Sequence, residues 1–264
     1  MNWKRLVKQI VLAPIMEVRV RWRRYLVSTT IIFLVLPLMR AVDWYLRGAF
    51  VGNVEYLNIV LNYAVFASVG LVIDTLLYAI LYAVRDVLTA RRPILVVVTE
   101  HPLAVPIALS LQILLTNFPY SVALAAFLAL LANAPFIAIV LAYFLTFAAG
   151  AFLTMGLAIL FAIVGLYIRG RDYRNVMRAI HRVLWILIPT AYGLSAYPPK
   201  IRDAILYFPT VALVEGVRRF VFGLDGWSLM LYALFSGIII TIAAYALYLR
   251  AFNAARKSGR IVLE

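Results

Sequence analysis

The sequence contains no cysteine and only two histidines, His101 and His181, among its 264 residues. Disulfides, cysteine-based zinc sites, iron–sulfur clusters and thiol catalysis are therefore excluded, and two histidines are too few for a His-rich metal site. Acidic residues are scarce, with 11 Asp and Glu against 25 Lys and Arg, a formal net charge of +14. Such an excess can indicate nucleic-acid binding. Here, however, the basic residues flank long apolar runs, so the anionic surface of a membrane explains them better and no nucleic-acid partner is expected.

Motifs for nucleotide binding and hydrolysis are missing as well. The sequence has no G-x-x-x-x-G-K-[ST] phosphate-binding loop, so any dependence on ATP has to come from a partner. Neither G-x-S-x-G nor H-E-x-x-H occurs. Proteolysis by paired intramembrane aspartates would need two acids in apolar runs, and Asp74 is the only one deep within such a run. We therefore expect no enzymatic activity and no cofactor bound by this chain.

The sequence is rich in hydrophobic residues, which are gathered into long runs. Hydrophobic residues make up 66% of the chain and the mean hydropathy is +0.98, whereas soluble domains are about 45–50% apolar. Runs of about 18 or more apolar residues can cross the hydrocarbon core as helices. We predict an all-α membrane protein with six transmembrane helices within residues 25–250. The predicted spans are 25–45, 57–84, 102–131, 136–168, 183–197 and 227–249, with a very short turn at Asn133–Pro135 between the third and fourth.

Basic segments flank these spans and predict their orientation. Residues 1–24 have the spacing of an amphipathic helix in the membrane interface, with a signal peptide as the competing interpretation. Residues 251–264 form a polar, basic tail. If the N-terminus is cytoplasmic, 19 of the 25 lysines and arginines fall on the cytoplasmic side and six outside. The positive-inside rule then predicts a multi-pass plasma-membrane protein with both termini in the cytoplasm.

Residues 198–226 are mostly apolar but are interrupted by prolines and glycines. We predict two short helices broken near Phe208–Pro209, since proline is tolerated at a helix start, and a stop at Gly223. Glu215 and Arg218 lie at i,i+3 pairing distance. The segment is interpreted as a re-entrant hairpin in the outer leaflet, packed inside the bundle, or as an amphipathic helix on the outer surface. The short fifth span favours the re-entrant hairpin.

Two polar residues stand inside the predicted spans. Asp74 should face the bundle interior and be paired, because a buried acid costs a few kcal/mol. It is either a substrate or proton-coupling site, or a structural group bonded to a neighbour such as Asn117 or Tyr63. The lack of a second ionisable residue in the spans favours the structural role. Asn117 has the same two interpretations. The small residues at 148–151 and Gly156 are predicted to form helix–helix contacts.

Three stretches carry a resemblance to a known family. The first is the basic amphipathic helix leading into the first span. The second, Arg85–Ser110, has a charged basic stretch followed by apolar residues, a short polar break and a proline. The third is Tyr197–Gly223, YPPKIRDAILYFPTVALVEGVRRFVFG. Together they resemble permeases of the type-two ATP-binding-cassette (ABC) export family. The matching positions of the third stretch are Pro198, Pro209, Glu215, Arg218 and Gly223.

The chain departs from the family pattern at two places. Many members carry Gly-Thr where this chain has Pro93-Ile94, and an Asn often precedes the hairpin proline where this chain has Phe208. The resemblance therefore leaves the subfamily and the substrate open. By class, the substrate would be hydrophobic or amphipathic: a drug, a lipid or a lipid-linked glycan.

The resemblance implies that two permease subunits pair, as a homodimer or with a close paralogue, in contact with membrane lipids. Each would dock on a cytoplasmic ABC ATPase subunit that binds the ATP. Coupling would run through the loop 85–102, whose candidate residues are Arg85, Asp86, Arg91, Arg92, Glu100, His101 and Pro102. For Arg91 and Arg92 alone, ordinary positive-inside charge is the favoured explanation, but an acid at the membrane boundary does nothing for topology. Glu100 is therefore expected to contact the ATPase.

Two other functional classes compete with the permease. A secondary transporter or channel would use Asp74 as its membrane-embedded ionisable site, although the sequence lacks the internal repeats and the several midplane charges typical of that class. A membrane enzyme or assembly factor would need convergent catalytic residues, which the sequence does not offer.

Overall fold

A computed structural model describes residues 11–12, 15–16, 18–20, 31–88, 104–168, 170–190 and 192–257 of the chain. Helices dominate the described part, and one β hairpin is its only sheet. In chain order the elements are α1 (Leu36–Val51, preceded by a π-helical turn Ile31–Val35), β1 (Asn53–Tyr56), β2 (Ile59–Asn62), α2 (Tyr63–Asp86), α3 (Ala104–Ala132), α4 (Phe136–Tyr167), α5 (Gly170–Leu187), a 3₁₀ turn (Leu194–Ala196), α6 (Pro199–Leu206), α7 (Pro209–Val221) and α8 (Trp227–Lys257).

Four of the described helices, α2, α3, α4 and α8, are long and apolar enough to cross a membrane. They coincide with the second, third, fourth and sixth predicted spans. Large apolar side chains remain exposed on their outer faces, for example Ile137 at 78% and Ile239 at 67%, which suits a hydrocarbon environment. The described part of the chain is thus mostly helical, and the length and composition of these four helices are those of a membrane protein.

Small residues bring the long helices close together. A Cβ added at Gly150 of α4 would lie 2.4 Å from Leu213 Cδ2 of α7, and one at Gly156 would lie 2.9 Å from the backbone nitrogen of Thr241 in α8. Both distances are too short for a side chain. The predicted helix–helix contacts of the small residues in the fourth span are confirmed at these two positions. The short turn between α3 and α4 is confirmed as well, with Asn133 at φ 52°.

The β hairpin before α2 was not predicted. Strands β1 and β2 pair antiparallel, with Tyr56 opposite Ile59. The two residues between them, Leu57 and Asn58, have φ of 49° and 66°, as a type I′ turn requires. The Asn62 side chain then accepts a 2.8 Å hydrogen bond from the Ala64 amide and caps α2. The second span was predicted to start at Leu57, whereas its helix starts six residues later.

The fifth predicted span, Val183–Tyr197, is wrong in its bounds. The helix in this region is α5, Gly170–Leu187, so it includes most of the segment predicted as a basic loop. Residues 188–190 and 192–193 are not helical. The physical reason is Pro189, which lacks an amide hydrogen for helix continuation and disfavours the helical conformation at the residue before it.

Helix α1 carries an exposed ion pair. The sequence places Arg40 and Asp43 three residues apart, a spacing that allows them to pair on a helix. Instead Asp43 pairs with Arg47, one turn further along α1, at 3.1 Å. Both side chains are about half exposed, so this pair contributes little to stability.

Candidate functional site: a buried arginine and an acidic cavity

Helix α7 buries a charged pair of side chains within the protein. The residues Thr210–Arg218 are all buried, including the charged pair Glu215 and Arg218. The prediction of two short helices with a break near Phe208–Pro209 matches α6 and α7, each of which begins on a proline. The alternative of an amphipathic helix on the surface is wrong, because α7 is enclosed on both its apolar and its polar faces.

Arg218 is fully buried and binds backbone as well as a side chain. Its Nη1 donates to Glu215 Oε1 at 3.2 Å and its Nη2 donates to the carbonyl oxygen of Thr190 at 2.8 Å. A longer contact of 3.4 Å joins Nη1 to the carbonyl oxygen of Tyr192. The guanidinium carbon also lies 4.1 Å from the centre of the Phe66 ring, at cation–π distance.

Tyr56, from the β hairpin, completes the cluster. Its hydroxyl donates a 2.6 Å hydrogen bond to Glu215 Oε2, so each oxygen of this carboxylate has a partner. Burial, and after it the Glu215 carboxylate, raise the pKa of the Tyr56 hydroxyl well above its usual range. The hydroxyl therefore stays protonated and acts as a donor. We call Tyr56, Glu215 and Arg218 the buried triad.

Gly70 allows α2 to approach the segment that follows α5. A Cβ at this position would lie 1.7 Å from the Thr190 carbonyl oxygen and 2.8 Å from Arg218 Nη2. No other residue type fits there without moving the backbone. The glycine thus places the carbonyls of Thr190 and Tyr192 within reach of the arginine.

The buried triad solves a local problem of backbone hydrogen bonding. Residues 188–190 and 192–193, between α5 and the 3₁₀ turn, are not helical, so the Thr190 carbonyl has no helical donor and needs one inside the protein. A charged guanidinium with five donors can serve two carbonyls and a carboxylate at once. Arg218 therefore joins α2, α7, the β hairpin and the segment after α5 into one unit.

A second polar feature lies around Asp74 on α2. A cavity of about 30 Å³, which is enough for a water molecule, lies beside Asp74. The lining residues are Asp74, Leu77, Tyr78, Leu81, Thr154, Leu157, Ile188 and Thr210. The Thr210 hydroxyl is buried and has no hydrogen-bond partner among the described residues. This cavity therefore combines a carboxyl group with a hydroxyl that lacks a partner.

The two named partners predicted for Asp74 are wrong. The Asn117 amide donates to the Ile113 carbonyl oxygen of its own helix at 3.2 Å. Tyr63 is on the same helix as Asp74 but eleven residues earlier, about 16 Å along the axis, and its ring packs against Trp44. A tyrosine and two threonines do line the cavity beside Asp74, namely Tyr78, Thr154 and Thr210.

The predicted coupling loop is described only at its beginning. Arg85 and Asp86 end α2 and form an ion pair, with the Arg85 side chain 14% exposed and that of Asp86 55% exposed. The remaining candidates lie outside the described residues: Arg91, Arg92, Glu100, His101 and Pro102. The structure therefore places Glu215 and Arg218 together, and places Asp74 in a separate cavity.

Among the hairpin positions, Pro198 caps α6, Pro209 opens α7, and Gly223 follows α7 with φ 78°. Sequence reasoning missed Tyr56, Phe66 and Gly70. Only Gly70 carried a local signal, since a glycine within an apolar span indicates close packing.

Comparison of the sequence with protein-family models and with curated proteins finds no match.

Proposed function

We propose that this chain is the transmembrane permease subunit of an ABC exporter. It would move a hydrophobic or amphipathic substrate (a drug, a lipid or a lipid-linked glycan) out of the cytoplasm, with ATP hydrolysed by a separate subunit. The observation that carries the proposal is the segment 198–226. It has two short helices that start on prolines and a buried Glu215–Arg218 pair, and its sequence pattern resembles the outer hairpin of this family.

Contacts along α2 support a re-entrant path for this segment. Gly193 approaches Phe66, near the start of α2: a Cβ on Gly193 would lie 3.7 Å from the Phe66 ring. Thr210, at the start of α7, instead lines the cavity at Asp74, two turns further along. The chain between Gly193 and Thr210 thus descends along α2 by about 12 Å, the rise of eight residues.

The chain then returns along the same helix. Phe222, just after α7, stacks on Phe66 with ring centres 6.5 Å apart and contacts Tyr56 at 6.2 Å. A segment that leaves one end of α2, reaches its middle and comes back has the path of a hairpin that enters one leaflet only. The returning half of this path, Thr210–Arg218 of α7, is buried within the protein, as backbone at that depth requires.

We propose six crossings, of which α2, α3, α4 and α8 are four. The first turns of α5 lie beside Arg85, at one end of α2. Further along the chain, Ile188 lines the cavity at Asp74, and Gly193 lies beside Phe66. This path runs the length of α2, so we assign the fifth crossing to residues 170–193. The first crossing would include α1 and the π-helical turn before it.

The orientation can be tested by cysteine labelling, because the native chain has no cysteine to remove. Lys200→Cys should react with an impermeant maleimide added to intact cells, and Lys257→Cys should react only after permeabilisation. The reverse pattern would contradict cytoplasmic termini.

The functional test is coupling to an ATPase. We expect the neighbouring gene to encode a soluble protein with Walker motifs, and its co-expression with this chain to give a complex whose ATP hydrolysis depends on the permease. Glu100→Ala should weaken this coupling. Glu55→Ala should not, because Glu55 is an exposed residue of strand β1 in the β hairpin. Unchanged assembly and unchanged ATPase stimulation in Glu100→Ala would contradict the role given to Glu100.

A second function is supported by the Asp74 cavity. Asp74 and Thr210 line a space large enough for water, and such a lining suits a membrane-embedded proton or cation site of a secondary transporter or channel. Asp74→Asn would then abolish flux in proteoliposomes. In the permease proposal the same variant leaves ATPase coupling intact.

A further inference from the structure

Helix α1 carries an arginine whose charge has no partner. Arg40 is exposed, and its side chain forms no hydrogen bond or ion pair within the described part of the chain. The acid one turn further along α1, Asp43, is bound to Arg47 at 3.1 Å. The guanidinium group of Arg40 is therefore a cation that a ligand can reach.

A tyrosine of the neighbouring helix adds a hydrogen-bond donor to this place. Helices α1 and α3 pack against each other, and the Arg40 guanidinium lies close enough to the half-buried Tyr120 to interact electrostatically with its phenol. The Tyr120 hydroxyl has no hydrogen-bond partner among the described residues. Two donors without an acceptor thus lie near each other on adjacent helices.

Both groups lie at the depth of the hydrocarbon core. Helix α3 has 29 residues, so it is about 44 Å long and, when centred, extends about 7 Å beyond each limit of a core of about 30 Å. Tyr120 lies twelve residues before the end of α3 at Ala132, a distance of about 18 Å, and thus about 11 Å inside the core. A charge at this depth is costly unless it is paired. The unpaired Arg40 therefore indicates an anionic ligand.

The surface next to Arg40 suits a hydrocarbon chain. Leu36 lies one turn earlier in α1, on the same face as Arg40, and it is 45% exposed. It also lies deeper in the membrane, because α1 runs inward from Gly48, which packs against Ala64 at the start of α2. A ligand with its head group at Arg40 and its chain along Leu36 would have the orientation of a lipid in the outer leaflet.

We propose that Arg40 and Tyr120 bind the anionic head group of an amphiphile, a phosphate or a carboxylate, whose chain lies along Leu36. A guanidinium group matches the oxygens of either anion with paired hydrogen bonds, and the phenol donates a further one. The amphiphile is either a lipid that stays in the membrane or the substrate of the exporter. Binding needs only that α1 and α3 cross the membrane. The second source also rests on the proposed function, and it would narrow the substrate class to anionic amphiphiles.

The test is thermal unfolding of the full-length chain in dodecyl maltoside, followed by the intrinsic fluorescence of its five tryptophans. Dodecyl phosphate and dodecanol are titrated separately at equal mole fractions and constant ionic strength. Dodecyl phosphate should stabilise the native chain more than dodecanol does. Arg40→Gln should weaken the binding of dodecyl phosphate about tenfold and Tyr120→Phe about fivefold, the effects of losing a charged and a neutral hydrogen bond.

Two further variants serve as controls. Arg40→Lys keeps the charge but loses the paired hydrogen bonds, so its affinity for dodecyl phosphate should be intermediate. Arg202→Gln, exposed on α6, should bind as the native chain does. Since Arg40 has no partner to lose in the described part of the chain, Arg40→Gln without ligand should melt as the native chain does, which separates binding from folding.

Equal stabilisation of the native chain by dodecyl phosphate and dodecanol would overturn the proposal, and this titration decides the question even if Arg40→Gln fails to fold. Equal binding by Arg40→Gln and Arg202→Gln would overturn it as well. A phospholipid that co-purifies with the native chain and is lost in Arg40→Gln would identify a resident lipid. Stimulation of ATP hydrolysis by dodecyl phosphate that requires Arg40 would identify a substrate.

The binding assay contains no ATPase, so its failure and that of the proposed function can be told apart. If dodecyl phosphate does not bind at Arg40, the permease proposal still stands. If no ATPase partner is found, binding that requires Arg40 still supports the site.

Discussion

Replacing Arg218 with methionine should be among the most damaging single changes in this protein. The side chain is fully buried and serves Glu215 and the carbonyl of Thr190. Its loss leaves a buried carboxylate without its cation and a buried carbonyl without its donor. Breaking a buried ion pair in this way costs about 3–5 kcal/mol. At about 2–4 °C per kcal/mol for a chain of this size, the melting temperature should fall by about 6–20 °C.

The assay is thermal unfolding in detergent, with Arg202→Met as the matched control. Arg202 pairs with Asp203 at 3.6 Å, and both side chains are exposed, so its loss should cost less than about 1 kcal/mol. The double variant Glu215→Gln with Arg218→Met removes both charges and should recover part of the loss, because the two residues are coupled. If Arg218→Met melts within 2 °C of Arg202→Met, the structural role given to the buried triad is refuted.

Three further variants test the surroundings of the buried triad by the same unfolding assay. Gly70→Ala should destabilise by about 1–3 kcal/mol or more, since its Cβ would meet the Thr190 carbonyl oxygen at 1.7 Å. Tyr56→Phe keeps the ring but loses the hydrogen bond to Glu215, and should cost about 1.5–3 kcal/mol. Leu57→Gly should stabilise by up to about 1 kcal/mol, because Leu57 is exposed and has φ 49°.

Each of these variants has a control in the same region. Gly193→Ala should be milder than the change at Gly70, since its Cβ would be no closer than 3.2 Å to any neighbour. Tyr45→Phe alters an exposed tyrosine and should be neutral. Val60→Gly, on an exposed strand position, should destabilise. A harmless Gly70→Ala, a neutral Tyr56→Phe or a destabilising Leu57→Gly would each contradict the geometry assigned to that residue.

The sequence predicts the long helices well because hydrocarbon thickness dictates their length. The bounds of α3 and α4 agree with prediction to within two residues, and the turn at Asn133–Pro135 follows from local chemistry. The helices α6 and α7 were predictable from their prolines. Pro189 could also have marked the end of α5, but the basic residues before it were interpreted as a loop and not as the polar face of a helix.

The buried triad could be predicted only in part. Glu215 and Arg218 share one helix, so their pairing follows from i,i+3 spacing. Tyr56 is 159 residues away along the chain, and no local pattern relates it to them. Its strand was hidden because a Leu-Asn turn lacks the glycine that usually signals a hairpin. Asp74 was recognised, but its neighbours depend on how α4 and α7 pack against α2, which a single sequence does not encode locally.

The measurement that tests the proposed function most directly is recovery of the tagged, full-length chain from its native membrane, with the co-purifying proteins identified and quantified. The permease proposal predicts a Walker-motif ATPase in about equal amount. Recovery of the chain alone, or only with copies of itself, would contradict the proposal and make flux through the Asp74 cavity the function to examine.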